Sequence, residues 1–208
     1  MGKKIIHKIV KQIKKKVKVK IPLFQGDYGF IDIKNMPYGT YTSKCISLED
    51  CDWATTGEFI QNTNNHCGAV ASTNIALFYA YQGYIGLLIN TSKSETFYKI
   101  HKSIGNGPVI RIAAKTKNYF KSRGYDLNYR RVTFYKGIKE AIDKNRPCAI
   151  LLTAGIAKWH WVIGVGYREY TTGERYIQVV NGWRNSSNQF FKVGDGAKIV
   201  SVTEYWIN

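Results

Sequence analysis

The 208-residue sequence predicts an α+β fold, with helices in its first part and an antiparallel sheet in its second. Residues 67–81 carry no charge and are apolar on nearly every side, which is typical of a buried central helix. From Pro147 onward, short apolar runs alternate with turn residues and indicate successive strands. We therefore expect a central helix packed on a C-terminal sheet.

The N-terminal segment, residues 1–20, contains nine lysines and no acidic residue. The chain carries a net charge of +17, and subtracting these nine leaves +8 on residues 21–208. Apolar residues recur in the segment at helical spacing, so a weak contact with an anionic membrane is one expected role. A solvated tail, part of a pro-segment and the remnant of an export signal are the alternatives. No secretory signal is predicted, because lysines interrupt every apolar run.

Residues 21–208 are predicted to form a single domain, with an irregular leading segment at residues 21–60. Short extended pieces such as Phe30–Ile33 are expected within this segment. Whether residues 1–60 act as a pro-segment does not follow from the sequence. A nucleic-acid partner is not expected, because the body of the chain shows no interleaved basic and aromatic patch.

The central helix is expected to end before Gly83 and to place Cys67 in its first turn, with Asn64 or Asn65 as the cap. A thiol at a helix N-terminus is biased toward the reactive thiolate. The plainer interpretation is that Cys67 is a small core residue.

The remaining elements follow from periodicity and from breaker residues. Gly105, Gly107 and Pro108 separate two amphipathic helices. The predicted helices are 94–103, 109–123 and 135–144. The predicted strands are 126–133, 147–153, 160–167, 174–181, 189–193 and 198–207.

The other three cysteines predict no metal site, because the sequence has neither a C-x-x-C pair nor zinc-finger spacing. Cys45 and Cys51 lie six residues apart and are able to pair in an oxidising compartment. Cys148 opens an apolar run, so we expect it to be buried in a strand. No metal or organic cofactor is expected.

His160 is the candidate base, by elimination among the four histidines. Strand alternation places it on one face with Val162, Gly164 and Gly166. The two glycines predict room on that face for a close neighbour, which we expect to be the central helix. His66 adjoins Cys67, but neighbouring side chains at a helix start project in different directions, so it is a poor base.

Two further residues complete a candidate site. Asn181 ends the strand that follows His160, so its side-chain oxygen is expected to orient the imidazole, with Trp183 covering that bond. The amide of Gln61, six residues before Cys67, is placed to help hold an oxyanion. Each residue alone has a plainer reading, as a turn asparagine or a solvated glutamine. Their order and placement together predict a cysteine hydrolase.

The stretch HCGAVASTNIALFYAYQGY and the later Asn-Gly-Trp resemble the papain-like cysteine peptidase superfamily. The similarity covers roughly residues 55–195 and is greatest to its bacterial branch, which includes streptopain and the bacteriocin-leader peptidase domains of export transporters. The resemblance implies a papain-like fold, a peptide or protein substrate, and a location outside the cell or on its surface. It implies Cys67 as the nucleophile, His160 as the base, Asn181 as the orienting residue and Gln61 as the oxyanion donor.

The sequence also departs from parts of that superfamily. Val70 and Ala71 stand where the plant and lysosomal members carry cysteine and an aromatic residue. Cys67 and His160 are 93 residues apart, fewer than in that branch. The transporter domains carry Asp in place of Asn181. The resemblance is therefore to the superfamily as a whole and does not imply a particular substrate.

Three functions remain at this point. The first is peptide-bond hydrolysis through a Cys-His-Asn triad and an acyl-enzyme, with thiolate Cys67 paired with protonated His160. The second is acyl transfer or amide hydrolysis by the same residues. The third is non-catalytic binding to an anionic surface or membrane through residues 1–20. The sequence specifies neither the preferred substrate side chain nor the oligomeric state.

Overall fold

The computed structural model describes residues 28–48, 50–59 and 65–208. The Lys-rich segment 1–20, the beginning of the leading segment, Asn64 and Gln61 lie outside the described residues. Within these ranges the chain folds as α+β, as the sequence predicts, with four α-helices and an antiparallel sheet of eight strands.

The helices are α1 (Cys67–Tyr81), α2 (Lys93–Ile104), α3 (Ile112–Ser122) and α4 (Phe134–Asp143). The strands are β1 (Phe30–Asp32), β2 (Tyr41–Cys45), β3 (Leu127–Arg131), β4 (Cys148–Thr153), β5 (Trp159–Tyr170), β6 (Arg175–Val180), β7 (Gln189–Lys192) and β8 (Lys198–Ile207). Short 3-10 helices occupy Ile33–Asn35, Thr56–Glu58 and Ile85–Leu87.

The sheet is organised around β5, the longest strand. Its strand order is β1-β7-β6-β5-β4-β8-β3, and β2 pairs with β5 outside this path. The first half of β5 pairs with β4 and its second half with β2, while β6 runs along the opposite side. Residue 160 therefore lies at the end of the sheet where β5 begins.

Helix α1 is buried because it has neighbours on most sides. Helices α2 and α3 pack against it on one side and β5 packs against it on another. Small residues permit this close approach. A Cβ atom on Gly68 would lie 3.4 Å from the carbonyl oxygen of Gly107 and 3.6 Å from the Trp161 ring.

The two faces of the sheet bury different residues. Trp161, Ile163 and Val165 belong to the core around α1. Val162 belongs to a second core with α4 and Tyr28. None of the helices in the described part of the chain combines the length and the apolar composition needed to cross a membrane.

The expectation that α1 packs on the face bearing His160, Val162 and Gly164 is wrong. Trp161, Ile163 and Val165 of β5 face α1, since the small residues of that helix need large partners to fill the interface. The space beside Gly164 is occupied by neighbouring strands, because a Cβ there would lie 2.9 Å from Ile150 Cδ1. At Gly166 the carbonyl of Lys44 would lie 2.7 Å away, so this glycine permits the approach of β2.

Candidate active site

Helix α1 begins at Cys67, which is only 5% exposed. His66 occupies the N-cap position, and no side-chain hydrogen bond caps the helix. The expected cap by Asn65 is therefore wrong. Asn65 instead adopts a left-handed conformation, with φ of 51°, and its carbonyl accepts a hydrogen bond from the backbone N–H of Gly107. This turn joins the start of α1 to the loop that separates α2 from α3.

The Cys67 thiol lies against the beginning of β5. Burial raises the pKa of the thiol, while the backbone N–H groups of Trp161, Gly68 and Cys67 itself oppose that effect. Burial is the larger influence and favours the protonated thiol, whereas the place of Cys67 at a helix N-terminus favours the thiolate.

The His160 imidazole is held by the chain on the neighbouring strand. Its Nε2–H donates to the backbone carbonyl of Asn181 at 2.6 Å. Because a carbonyl only accepts, the proton of the neutral ring lies on Nε2 and Nδ1 carries a lone pair. The side chain therefore has the tautomer that a general base acting through Nδ1 requires.

Two aromatic rings enclose this imidazole. Trp183 stacks on it with a centroid separation of 3.9 Å and an interplanar angle of 10°. The Tyr28 ring lies 5.5 Å from it. These contacts leave His160 only 4% exposed and limit its rotation about χ2.

Burial of His160 predicts a loss of stability in acid. Removal from solvent lowers the pKa of its imidazole from 6.5 to about 4, while the hydrogen bond to Asn181 opposes that shift. The unfolded chain therefore binds a proton near pH 6.5 that the folded chain excludes. The stability contributed by the neutral ring is present above that pH and is lost as the pH falls toward 4, by roughly 3 kcal/mol at most.

Denaturant unfolding at pH 7 and pH 4, on the native protein and the His160→Gln variant, measures this contribution. The free energy of unfolding should fall further in the native protein than in the variant. A His101→Gln control should behave as the native protein. Equal pH dependence in the native protein and His160→Gln would show that the ring is not held neutral.

The Asn181 side chain does not bind the imidazole. Its Oδ1 accepts hydrogen bonds from the backbone N–H groups of Trp183, at 2.9 Å, and Arg184, at 3.1 Å. The expected orienting bond from the side-chain oxygen is thus wrong in detail, and the backbone carbonyl of the same residue takes its place. The side chain shapes the turn that presents Trp183. Its buried Nδ2 has no hydrogen-bond partner among the described residues.

The structure brings the Cys67 helix start and the His160 strand start together, but it does not join the two side chains. Among the described residues no hydrogen bond links the Cys67 sulfur to the imidazole. The sulfur instead faces the backbone N–H of Trp161, the residue after His160. Catalytic hydrogen bonds are often loose until a substrate is bound.

Three residues near the site were missed by sequence reasoning. Trp161 presents a backbone amide to the thiol, Tyr28 contacts the imidazole, and Thr56 bonds to the loop after Asn181. The contacts of Trp161 and Thr56 are made by backbone groups, which residue patterns do not reveal. Tyr28 lies in the leading segment, where the only available signal was its aromatic composition.

Cys45 and Cys51 are both free thiols. They line one polar cavity of about 510 Å³ together with Trp53 and Gln178. Cys148 is fully buried, as expected, and burial raises the pKa of its thiol. In the part of the chain that the structure describes, no cluster of three histidine, cysteine or carboxylate side chains is arranged to hold a metal ion.

Comparison with known proteins gives no independent assignment. The sequence matches no protein-family model, and no curated protein matches it either.

Proposed function

We propose that the protein is a papain-like cysteine peptidase, in which Cys67 is the nucleophile and His160 the general base. One observation carries the proposal. A thiol at the first residue of a buried helix faces the residue next to a histidine, and that histidine is held with its proton on Nε2. A nucleophile, a base and a group that orients the base are the three parts that acyl transfer requires.

The two pKa directions determine how the reaction starts. Burial raises the pKa of the Cys67 thiol and lowers the pKa of the His160 imidazole, so both directions favour the neutral form of each group before a substrate binds. His160 Nδ1 accepts the thiol proton as the sulfur attacks the peptide carbonyl. This sequence of events replaces the resting ion pair expected from the sequence.

The later steps use the same residues, with His160 now donating a proton. The backbone N–H of Cys67 and the amide of Gln61 hold the oxyanion, and each such donor typically contributes about 3 kcal/mol. The imidazolium then protonates the leaving amine through Nδ1. Water, deprotonated by His160, hydrolyses the thioester and releases the acyl product. Gln61 lies outside the described residues, so its role rests on the resemblance alone.

A change in side-chain position precedes attack in this mechanism. The sulfur has to leave the Trp161 amide and approach the imidazole, and we assign this movement to rotation about χ1 of Cys67. A single cysteine rotamer change is a small movement, and the Trp183 stack holds the imidazole in place to receive the proton.

An open cavity at the start of β5 supports a peptide substrate. It has a volume of about 590 Å³ and lies along residues 153–157 and Trp159, immediately before His160. Ile156 at the tip of this hairpin is fully exposed, and Trp159 is 40% exposed. Exposed apolar side chains next to a cavity are typical of a ligand-binding surface. We assign the substrate chain to this side of β5.

Peptide hydrolysis is tested with an unfolded protein as substrate, in the presence and absence of a primary amine acceptor. Mass analysis should find new fragments with free carboxyl ends in both reactions. Fragments carrying the amine as their main product would assign acyl transfer instead of hydrolysis. No cleavage over a range of substrates and pH values would contradict the proposal.

The Asn181→Ala variant tests whether the His160 imidazole is oriented by the side chain of Asn181 or by its backbone carbonyl. The carbonyl that accepts from His160 remains in the variant, while the bonds to Trp183 and Arg184 are lost. We expect the hydrolysis rate to fall by about tenfold to a hundredfold, because the imidazole keeps its partner and loses part of its cover. Steady-state kinetics measure the change, with Asn185→Ala as the control in the same loop. A loss as large as that on removing Cys67 would show that the Asn181 side chain orients the base directly.

A further inference from the structure

His66 lies directly before the nucleophile and is buried, yet the proposed mechanism does not use it. His66 is only 2% exposed. Its Nε2–H donates to the backbone carbonyl of Thr56 at 3.1 Å. The ring also lies edge-on to Phe97, with a centroid separation of 5.3 Å. The side chain therefore has a fixed place beside the start of α1.

Thr56 connects this histidine to the loop that holds the base. Its backbone N–H donates to the carbonyl of Gly182 at 2.7 Å. Gly182 follows Asn181, whose carbonyl accepts from His160 at 2.6 Å. Gly182 has φ of 71°, which turns its carbonyl toward Thr56 while Asn181 faces the imidazole.

The segment that contains Thr56 is itself anchored to the helices. Ala54 exchanges two hydrogen bonds with the side chain of Asn74 in α1, at 2.8 and 3.1 Å. Glu58 accepts from the Thr55 backbone N–H at 2.7 Å and pairs with Lys93 of α2 at 2.7 Å. Because the chain is anchored on both sides of Thr56, we expect a displacement at Thr56 to be passed on to the backbone of Gly182.

We propose that His66 is a positioning residue that sets the His160 imidazole relative to Cys67 through Thr56 and the Asn181–Gly182 backbone. The path contains three hydrogen bonds and crosses from the helical layer to the sheet. His66 directly precedes Cys67 in the chain. The peptide bond between them therefore fixes the start of the hydrogen-bond path relative to the nucleophile. The kinetic part of this role rests on the proposed peptidase function, and the geometric part does not.

The test compares His66→Leu, which removes the donor, with His66→Gln, whose side-chain amide N–H is able to reach the Thr56 carbonyl. Thr56→Pro breaks the path at the next bond by removing the N–H that binds Gly182. Thr56 begins a short helix, and Thr55 before it has φ of −123° and ψ of 153°, a conformation that a following proline favours. His101→Leu is the control, since the His101 ring packs against both Phe97 and His66 but makes no bond to Thr56.

The first readout is the Nε2–H proton of His160 in the NMR spectrum, which requires no enzymatic activity. Its hydrogen bond predicts a slowly exchanging downfield resonance in the native protein, His66→Gln and His101→Leu. We expect this resonance to broaden or shift in His66→Leu and Thr56→Pro. The second readout is kinetic. In these two variants kcat should fall about tenfold or more with KM within about twofold, and His66→Gln should restore kcat.

An unchanged resonance in folded His66→Leu and Thr56→Pro would overturn the proposal. A change in His66→Leu alone would overturn the path through Thr56. If the native protein cleaves no peptide, the resonance still decides the geometric claim, so failure of the proposed function is distinguishable from failure of this one. If His66→Leu fails to fold, the Thr56→Pro variant provides the test. An unchanged His160 resonance in Thr56→Pro would then overturn the proposal.

Discussion

Replacing Cys67 by alanine should reduce peptide hydrolysis by about a thousandfold or more while the protein stays folded. The reason is chemical, because the acyl-enzyme forms on the sulfur of this residue and no other group takes its place. The residue is buried at the end of a helix, where alanine is well tolerated, so the free energy of unfolding should change by about 1 kcal/mol or less. Initial rates on one peptide, with circular dichroism as the check of folding, measure both effects.

Cys45→Ala is the matched control for this variant. Cys45 is exposed and lines a cavity that does not include Cys67 or His160. It should retain the native rate, because its thiol takes no part in the reaction. If Cys67→Ala keeps its activity, or Cys45→Ala loses it, the nucleophile has been assigned to the wrong cysteine.

The second large effect is expected for His160→Gln. The glutamine side-chain amide is able to donate to the Asn181 carbonyl in place of Nε2–H, so the variant removes the base while it preserves the hydrogen bond. Loss of general-base catalysis should lower kcat by about a hundredfold to ten-thousandfold. The pH dependence of the remaining rate should follow the Cys67 thiolate, whose raised pKa moves activity to alkaline pH.

His101→Gln serves as the control for the loss of an imidazole. The His101 imidazole binds the Asn106 side chain, and no hydrogen bond joins it to Asn181. A native pH profile is expected for it. If His160→Gln also keeps a native rate and profile, another group serves as the base.

The helical part of the fold was predictable because its signals are local. An uncharged run from Cys67 to Tyr81 predicts α1, with Cys67 in its first turn and its end before Gly83, and the structure gives a helix over Cys67–Tyr81 with His66 as the cap. Gly105, Gly107 and Pro108 separate α2 from α3, although α3 begins at Ile112 instead of Val109. Strand β2 was not predicted, because most of its side chains are exposed and its partner is the distant end of β5.

The site was predictable in its residues and less so in its contacts. Sequence order brings His160 and Asn181 to one end of the β5–β6 pair, and the structure joins them through a backbone carbonyl. Which face of β5 meets α1 depends on how side chains fill the interface, and alternation alone does not decide it. The protonation of Cys67 depends on burial, which outweighs its place at a helix N-terminus. Both outcomes depend on the tertiary structure.

His160 is expected to activate the Cys67 thiol toward electrophiles, and an epoxide inhibitor of thiol peptidases, which alkylates an activated thiol, tests this most directly. The protein is incubated with the inhibitor at neutral pH, and the adduct is located by mass among the four cysteines. We expect one adduct, on Cys67, that forms far more slowly in His160→Gln. An adduct confined to Cys45, or equal labelling of Cys67 in the two proteins, would contradict it.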